Sequence, residues 1–219
     1  MKKFITSAFV VLFALVLFSG TLVSQAKQGF VYFEKSGTVE YKYSGTTKGT
    51  STVYFDNYGS KRAEYQTLKT TVFGFSSESK TLDLFINNWF YTIDLKEKTG
   101  TKMSWDDIEE YQNKAVGSKK DRQKLAEDMW KKMGGKKTGT GKVLGKTCEI
   151  WEATNPPIKS WVWHNIPLKS EMSIMGITIK IEATKISTGS VSASKFKIPS
   201  GIKIKEQKMP KDMPNFFGK

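Results

Sequence analysis

Two side chains in this sequence offer nucleophile-and-base chemistry, and each occurs once: Cys148 in "KTCEIWEA" and His164 in "SWVWHN". A thiol becomes reactive when a neighbouring histidine or other cation lowers its pKa. Cys148 and His164 are therefore the one thiol site this chain can assemble, provided their strands meet. Alternation along "KTCEIWEA" gives a plainer expectation. Cys148 shares a face with Ile150, while Thr147, Glu149 and Trp151 share the other, so Cys148 reads as a small buried apolar residue. One cysteine and one histidine supply too few ligands for a transition-metal site, and a lone cysteine closes no internal disulfide. No cofactor signature is present. The stretch "GGKKTGTGKVLGKTCEIWE", residues 134–152, scans like a phosphate-binding loop, which needs Gly, four residues, then Gly-Lys-Ser/Thr. Gly145-Lys146-Thr147 would require glycine at 140, and threonine stands there. A helical pattern also precedes these glycines and a strand pattern follows, the reverse of a phosphate loop. The stretch reads as a lysine-flanked connection into a β-hairpin. No Gly-x-Ser-x-Gly elbow occurs, and the acidic residues are scattered among lysines, with no isolated pair in an apolar setting for glycoside chemistry. The expectation is a protein that is not an enzyme.

The chain is rich in large apolar side chains, with six tryptophans. Trp161 and Trp163 point the same way from "SWVWHN", and so do Ile177, Ile179 and Ile181 from "ITIKIEA". Met129 and Met133, with Met172 and Met175, add soft, adaptable surface. By strand or helix face, the candidates for an apolar ligand pocket are Trp89, Tyr91, Trp105, Met129, Trp130, Trp161 and Trp163. Solid packing of these rings is the alternative.

The elements that must position them are mostly strands. "FVYFE", "TVEYKYSG" and "STVYFDNYG" alternate or cluster β-branched and aromatic residues between turn formers. "DNYGSK" and the Asn87-Asn88 pair mark hairpin turns; "KRAEYQTLKTTVFGF", "TLDLFI" and "WFYTIDL" continue the series. At 104 the period changes. Ser104 with Asp107 reads as a helix cap, and Leu125, Ala126, Met129, Trp130 and Met133 recur at helical spacing until Gly134-Gly135. Strands resume with "KTCEIWEA", "SWVWHN", "LKSEMSIM" and "ITIKIEATKIS", and "SKFKIPSGIK" reads as a final short strand. Strands, a helical insert over 104–134, then strands define an antiparallel α+β domain.

Lys2 and Lys3, the apolar run Phe9–Phe18 and Ser24-Gln25-Ala26 follow the grammar of a secretory signal peptide. The expected layout is a leader over 1–26 cleaved after Ala26, one domain over 27–208, and a loosely held tail over 209–219. A periplasmic location follows from that reading. The whole chain carries a formal charge of +14, nearly all of it lysine. Specific base or phosphate reading favours the bidentate arginine fork, so the excess points to anionic surfaces and not to nucleic acid.

The order "YFDNYGSKRAEY", "NNWFYTIDLKEKTGT", a helical insert, "VLGKTCEIWE" with "WVWHNIPLKSE", and "FKIPSGIK" resembles exported bacterial proteins of a domain-of-unknown-function family similar to the periplasmic lipoprotein carriers, the LolA/LolB-like superfamily. The resemblance implies a curved antiparallel sheet, an unclosed β-barrel wrapped around helices, whose apolar interior receives acyl chains. An arginine governs the lid in those carriers, and Arg62 lies in an early strand without the surrounding motif. The cysteine strand is not characteristic of them. The expected function is a monomeric, non-enzymatic periplasmic carrier of a lipid, acyl chain or other apolar ligand, guided by lysines to anionic membrane surface. The alternative is a solid-cored, lysine-rich envelope module that binds an anionic polymer or a partner protein.

Overall fold

The computed structural model describes residues 32–107, 131, 134–174 and 177–208. The expected leader, most of the helical insert with Met129 and Trp130, and the tail from 209 lie outside these residues. The described chain forms one twelve-stranded sheet, ordered β12-β6-β5-β4-β3-β2-β1-β11-β10-β9-β8-β7. The strands are β1 Gly37–Gly45, β2 Thr47–Asp56, β3 Lys61–Val72, β4 Phe75–Ile86, β5 Trp89–Asp94, β6 Thr99–Ser104, β7 Lys136–Val143, β8 Lys146–Thr154, β9 Pro157–Trp163, β10 Ile166–Ile174, β11 Ile177–Thr188 and β12 Lys203–Glu206. Every neighbouring pair is antiparallel except β12 with β6, which is parallel. The two outermost strands, β12 and β7, do not pair, so the sheet is curved but unclosed.

Hairpin geometry explains most of this order. The turns Phe73-Gly74, Asn87-Asn88, Leu144-Gly145 and His164-Asn165 each join two strands through two residues, all with positive φ. That is the type I′ arrangement, whose twist matches that of the flanking strands. Register irregularities at Glu40/Tyr41, Lys137/Gly139 and Pro167/Lys169 bend the strands that carry them.

Burial falls in two clusters on different parts of the sheet. One gathers Val39, Tyr41, Val53, Phe55, Cys148, Ile166, Leu168 and Ala183. The other gathers Ala63, Leu82, Leu84 and Ile93, and is capped by Phe196 with Val191, Ile198, Ile202 and Ile204. The cap comes from the segment after β11, which crosses the sheet and then joins its edge as β12. Tyr65 Oη donates to the Lys195 carbonyl at 3.1 Å and helps to fasten this strap.

Three local expectations need correction. The described part of "FVYFE", residues 32–34, is not a strand: Tyr32 N donates to the Tyr58 carbonyl and Phe33 N to the His164 carbonyl. "GGKKTGTGKV" is more than a connection, since Lys136–Val143 is already the edge strand β7. In "SKFKIPSGIK", Phe196 belongs to a 3-10 turn, Ala193–Phe196, and the strand begins only at Lys203. Phe196 is 8% exposed and wedged against β3 and β4. Phe196→Ala should therefore lower unfolding stability by about 3 kcal/mol, measurable by urea denaturation. An unchanged midpoint would show that the strap is not part of the core.

Candidate functional site: an amphiphilic inner face

Strand register fixes which side chains share the face opposite the strap. One row runs Phe55–Arg62–Phe85–Phe90–Met103, and the next runs Val39–Val53–Glu64–Asp83–Thr92. The first row carries aromatic rings on both sides of Arg62. Tyr32 packs edge-on to Phe55 with centroids 4.8 Å apart, and Phe85 stacks on Phe90 at 4.4 Å. Trp105 closes on both, at 6.3 Å from Phe85 and 5.6 Å from Phe90. Trp105 is held at the start of a helical turn. Its N–H donates to the Asn88 carbonyl, Asn88 Nδ2 donates to Asp106 Oδ1 at 2.6 Å, and Ser104 Oγ accepts from Asp106 N as an N-cap does.

Beside these rings lies a polar group of a kind the scattered acids of the sequence did not announce. Glu64 and Asp83 are direct cross-strand partners on β3 and β4. Like charges placed opposite each other in a sheet repel. Tyr43 Oη donates to Glu64 Oε1 at 3.4 Å and lies 3.5 Å from Ser51 Oγ. Burial pushes the Asp83 carboxyl up to about 7, with the Glu64 charge adding to the rise and Thr92 and Arg62 opposing it. Burial, then Glu64, also raises the Tyr43 phenol. Asp83 Oδ1 has no solvent contact and no hydrogen-bond partner.

The described pocket candidates fall in three places. Trp105 belongs to the inner aromatic group. Trp89 and Tyr91 alternate with Phe90 and so lie on the other face, where Tyr91 packs beside Ile93 and Lys102 Nζ sits 4.0 Å over Trp89. Trp161 and Trp163 lie on β9, toward the other end of the sheet, and both pack against the cluster that holds Val39, Phe55, Cys148 and Leu168. Trp161 rests against Gly141, where a Cβ would come within 3.1 Å of the indole. Lys159 and Lys169 flank it, while Lys146 and His164 cover Trp163. The residues missed by sequence reasoning are Phe85, Phe90, Glu64 and Asp83.

Cys148 and His164 do not form a dyad. His164 Nδ1 lies 2.6 Å from Glu34 Oε1, while Cys148 Sγ donates weakly to the Lys146 carbonyl. Burial pushes the Cys148 thiol up, away from a reactive thiolate. Among the described residues no group of three His, Cys, Asp or Glu side chains is placed to hold a metal.

No family model matches this chain, and no curated protein matches it. Among solved structures, it is similar to the crystal structure of an uncharacterized conserved protein from Thermus thermophilus, with a TM-score of 0.51 at 5% identity, over 80% of this chain and 92% of that one. The crystal structure of LprF from Mycobacterium bovis aligns over 73% of this chain and 88% of that one at 10% identity, but with a TM-score of 0.33, below the level of a shared fold. The first likeness is one of fold alone.

Asp83 gives this face a pH signature. Its pKa is raised on folding, so the native state holds a proton that the unfolded chain has released. Stability should therefore fall as pH rises from the ordinary carboxylate range, about 4, toward 7. Below that window the penalty is absent, and above it the penalty is complete. The groups around Asp83 are Glu64 and Arg62 of β3, Tyr43 of β1 and Thr92 of β5. Asp83→Asn should flatten the slope and gain ~1–3 kcal/mol in mildly alkaline buffer, read from urea midpoints on both sides of the window. A variant that loses stability there would refute this account.

Proposed function

We propose that this protein is an exported, non-enzymatic carrier that lays an amphiphilic ligand along the inner face of its sheet. The observation that carries the reading is the layout of that face. An aromatic group of Phe85, Phe90 and Trp105 borders a polar seat in which one buried carboxyl oxygen lacks a partner. Ligand sites combine mostly apolar walls with a few placed polar groups in this way. The opposite face is covered by the chain's own strap, and on the inner face Phe90 and Trp105 remain half-buried and offer a ligand its contact. The unclosed architecture also agrees with the resemblance to the lipoprotein carriers noted from the sequence.

Contact with an anionic membrane surface belongs to the same reading. At the β3–β4 hairpin tip Phe73 is 90% and Phe75 81% exposed, on either side of Gly74. Phe73 also adopts φ 50°, a left-handed conformation that disfavours a bulky residue. Two exposed rings and a strained backbone at one tip are unfavourable for the protein alone. Behind them, Lys48 and Lys69 are cross-strand partners and both exposed. Aromatic rings at the acyl boundary with lysines among anionic headgroups suit a bilayer surface.

Two measurements test the proposal. Trp105→Ala should weaken uptake of a fluorescent fatty-acyl probe about tenfold, as expected for losing one large ring contact; unaltered uptake would remove the inner face as the site. Phe73→Ser with Phe75→Ser should abolish co-sedimentation with phosphatidylglycerol vesicles while leaving probe uptake in solution intact. Retained sedimentation would mean that the tip does not touch membrane.

A further inference from the structure

We infer that the polar seat on the inner face receives a hydrogen-bond-donating cationic head, a primary ammonium, and that Glu64 and Asp83 are its acceptors. This deepens the carrier reading and rests on it.

The argument begins with charge. Glu64 and Asp83 stand opposite each other on neighbouring strands, with the Tyr43 hydroxyl already donated to Glu64. Among the described residues Arg62 is the cation within the group; it lies one row over, opposite Phe55 and Phe85, and is hydrogen-bonded to the Tyr32 side chain. Two carboxylates against one guanidinium leave the ionised seat with an excess negative charge. An anionic head would bring a third negative charge into this group. An ammonium would compensate the excess and relieve the repulsion between the two acids.

Hydrogen bonding points the same way. Asp83 Oδ1 is buried with no partner, and an orphaned buried acceptor is destabilising. In the ionised form, what such an oxygen lacks is a donor. A carboxylate or phosphate head brings acceptors only, whereas an ammonium brings three N–H donors. Thr92, the cross-strand partner of Asp83 on β5, is exposed, so the seat borders solvent. Phe85, next but one to Asp83, begins the aromatic group. A ligand with its head on Asp83 therefore has its chain directed over Phe85 and Phe90 toward Trp105. Burial first, and the Glu64 charge second, make Asp83 keep its proton more readily than an ordinary carboxyl.

The test uses the full chain and matched single-chain amphiphiles below their micelle concentrations, with binding read by calorimetry in mildly alkaline buffer. Dodecylammonium should bind about tenfold or more tightly than dodecanoate, and more tightly than dodecyltrimethylammonium, which carries the charge without donors. Asp83→Asn and Glu64→Gln should each bring the ammonium-to-carboxylate affinity ratio close to one, a ratio that a general loss of folded protein does not move. Equal or tighter binding of dodecanoate would overturn the inference while leaving the carrier reading in place. Equal binding of the trimethylammonium compound would show that donors are not recognised and would overturn it too. If none of the three binds and the acyl probe is also excluded, the carrier reading itself fails.

Discussion

Leu84 and Phe85 are neighbours in sequence, project to opposite sides of β4 and are both buried. That one constraint organises the described structure. A strand that is apolar on both faces cannot leave either to water, so the centre of the sheet needs two covers. The first is supplied from within the chain by the strap, with Phe196, Ile198, Ile202 and Ile204 over Leu82, Leu84 and Ile93. The second side is curved, aromatic at its ends and polar in its middle. The two faces thus differ in kind, one sealed by the strap and the other joining rings to a polar pair.

The polar group is costly where it stands. Glu64 and Asp83 would each be easier to accommodate at the rim, and an apolar pair at both positions would extend the Val39–Val53 row without penalty. The carboxyls instead occupy the middle of the sheet, where burial raises one of them and leaves an oxygen unpaired. Native chains tolerate such departures from packing logic mainly at functional sites. The hairpin tip is a second departure. A phenylalanine in a left-handed backbone and nearly full exposure violates local propensity and burial at once.

Local rules made the architecture readable and left the site obscure. Period-two alternation located β1, β2 and β11, Asn87-Asn88 announced its turn, and Ser104 announced the helical start. Each of these signals lies within a few residues of chain. The Phe73-Gly74 and His164-Asn165 turns carried weaker signals, because neither begins with a residue suited to positive φ as strongly as Asn or Gly. The pairing of Glu64 with Asp83 could not be read from spacing, since it depends on the register of two long strands. Face assignment failed for the same reason. Trp89, Tyr91 and Trp105 are close in sequence, yet alternation along β5 and the turn after β6 divide them between the two sides. Trp161 and Trp163 do share a strand face, as expected, but meet lysines and Gly141 at the other end of the sheet.

The strap also orders events in time. Residues 189–206 follow in the chain every strand they cover, and until they exist Leu82, Leu84 and Ile93 have no cover, while β6 lacks its neighbour β12. β1 likewise waits for β11, its partner across most of the chain. Hairpins β2 to β6 can form before the strap, but their outer face stays wet until it is made. Long-range closure of this sort folds slowly and leaves apolar surface open meanwhile. A protease that clipped the strap from the finished molecule would return it to that unfinished condition, so the durability of this large sheet hangs on one short stretch of irregular chain.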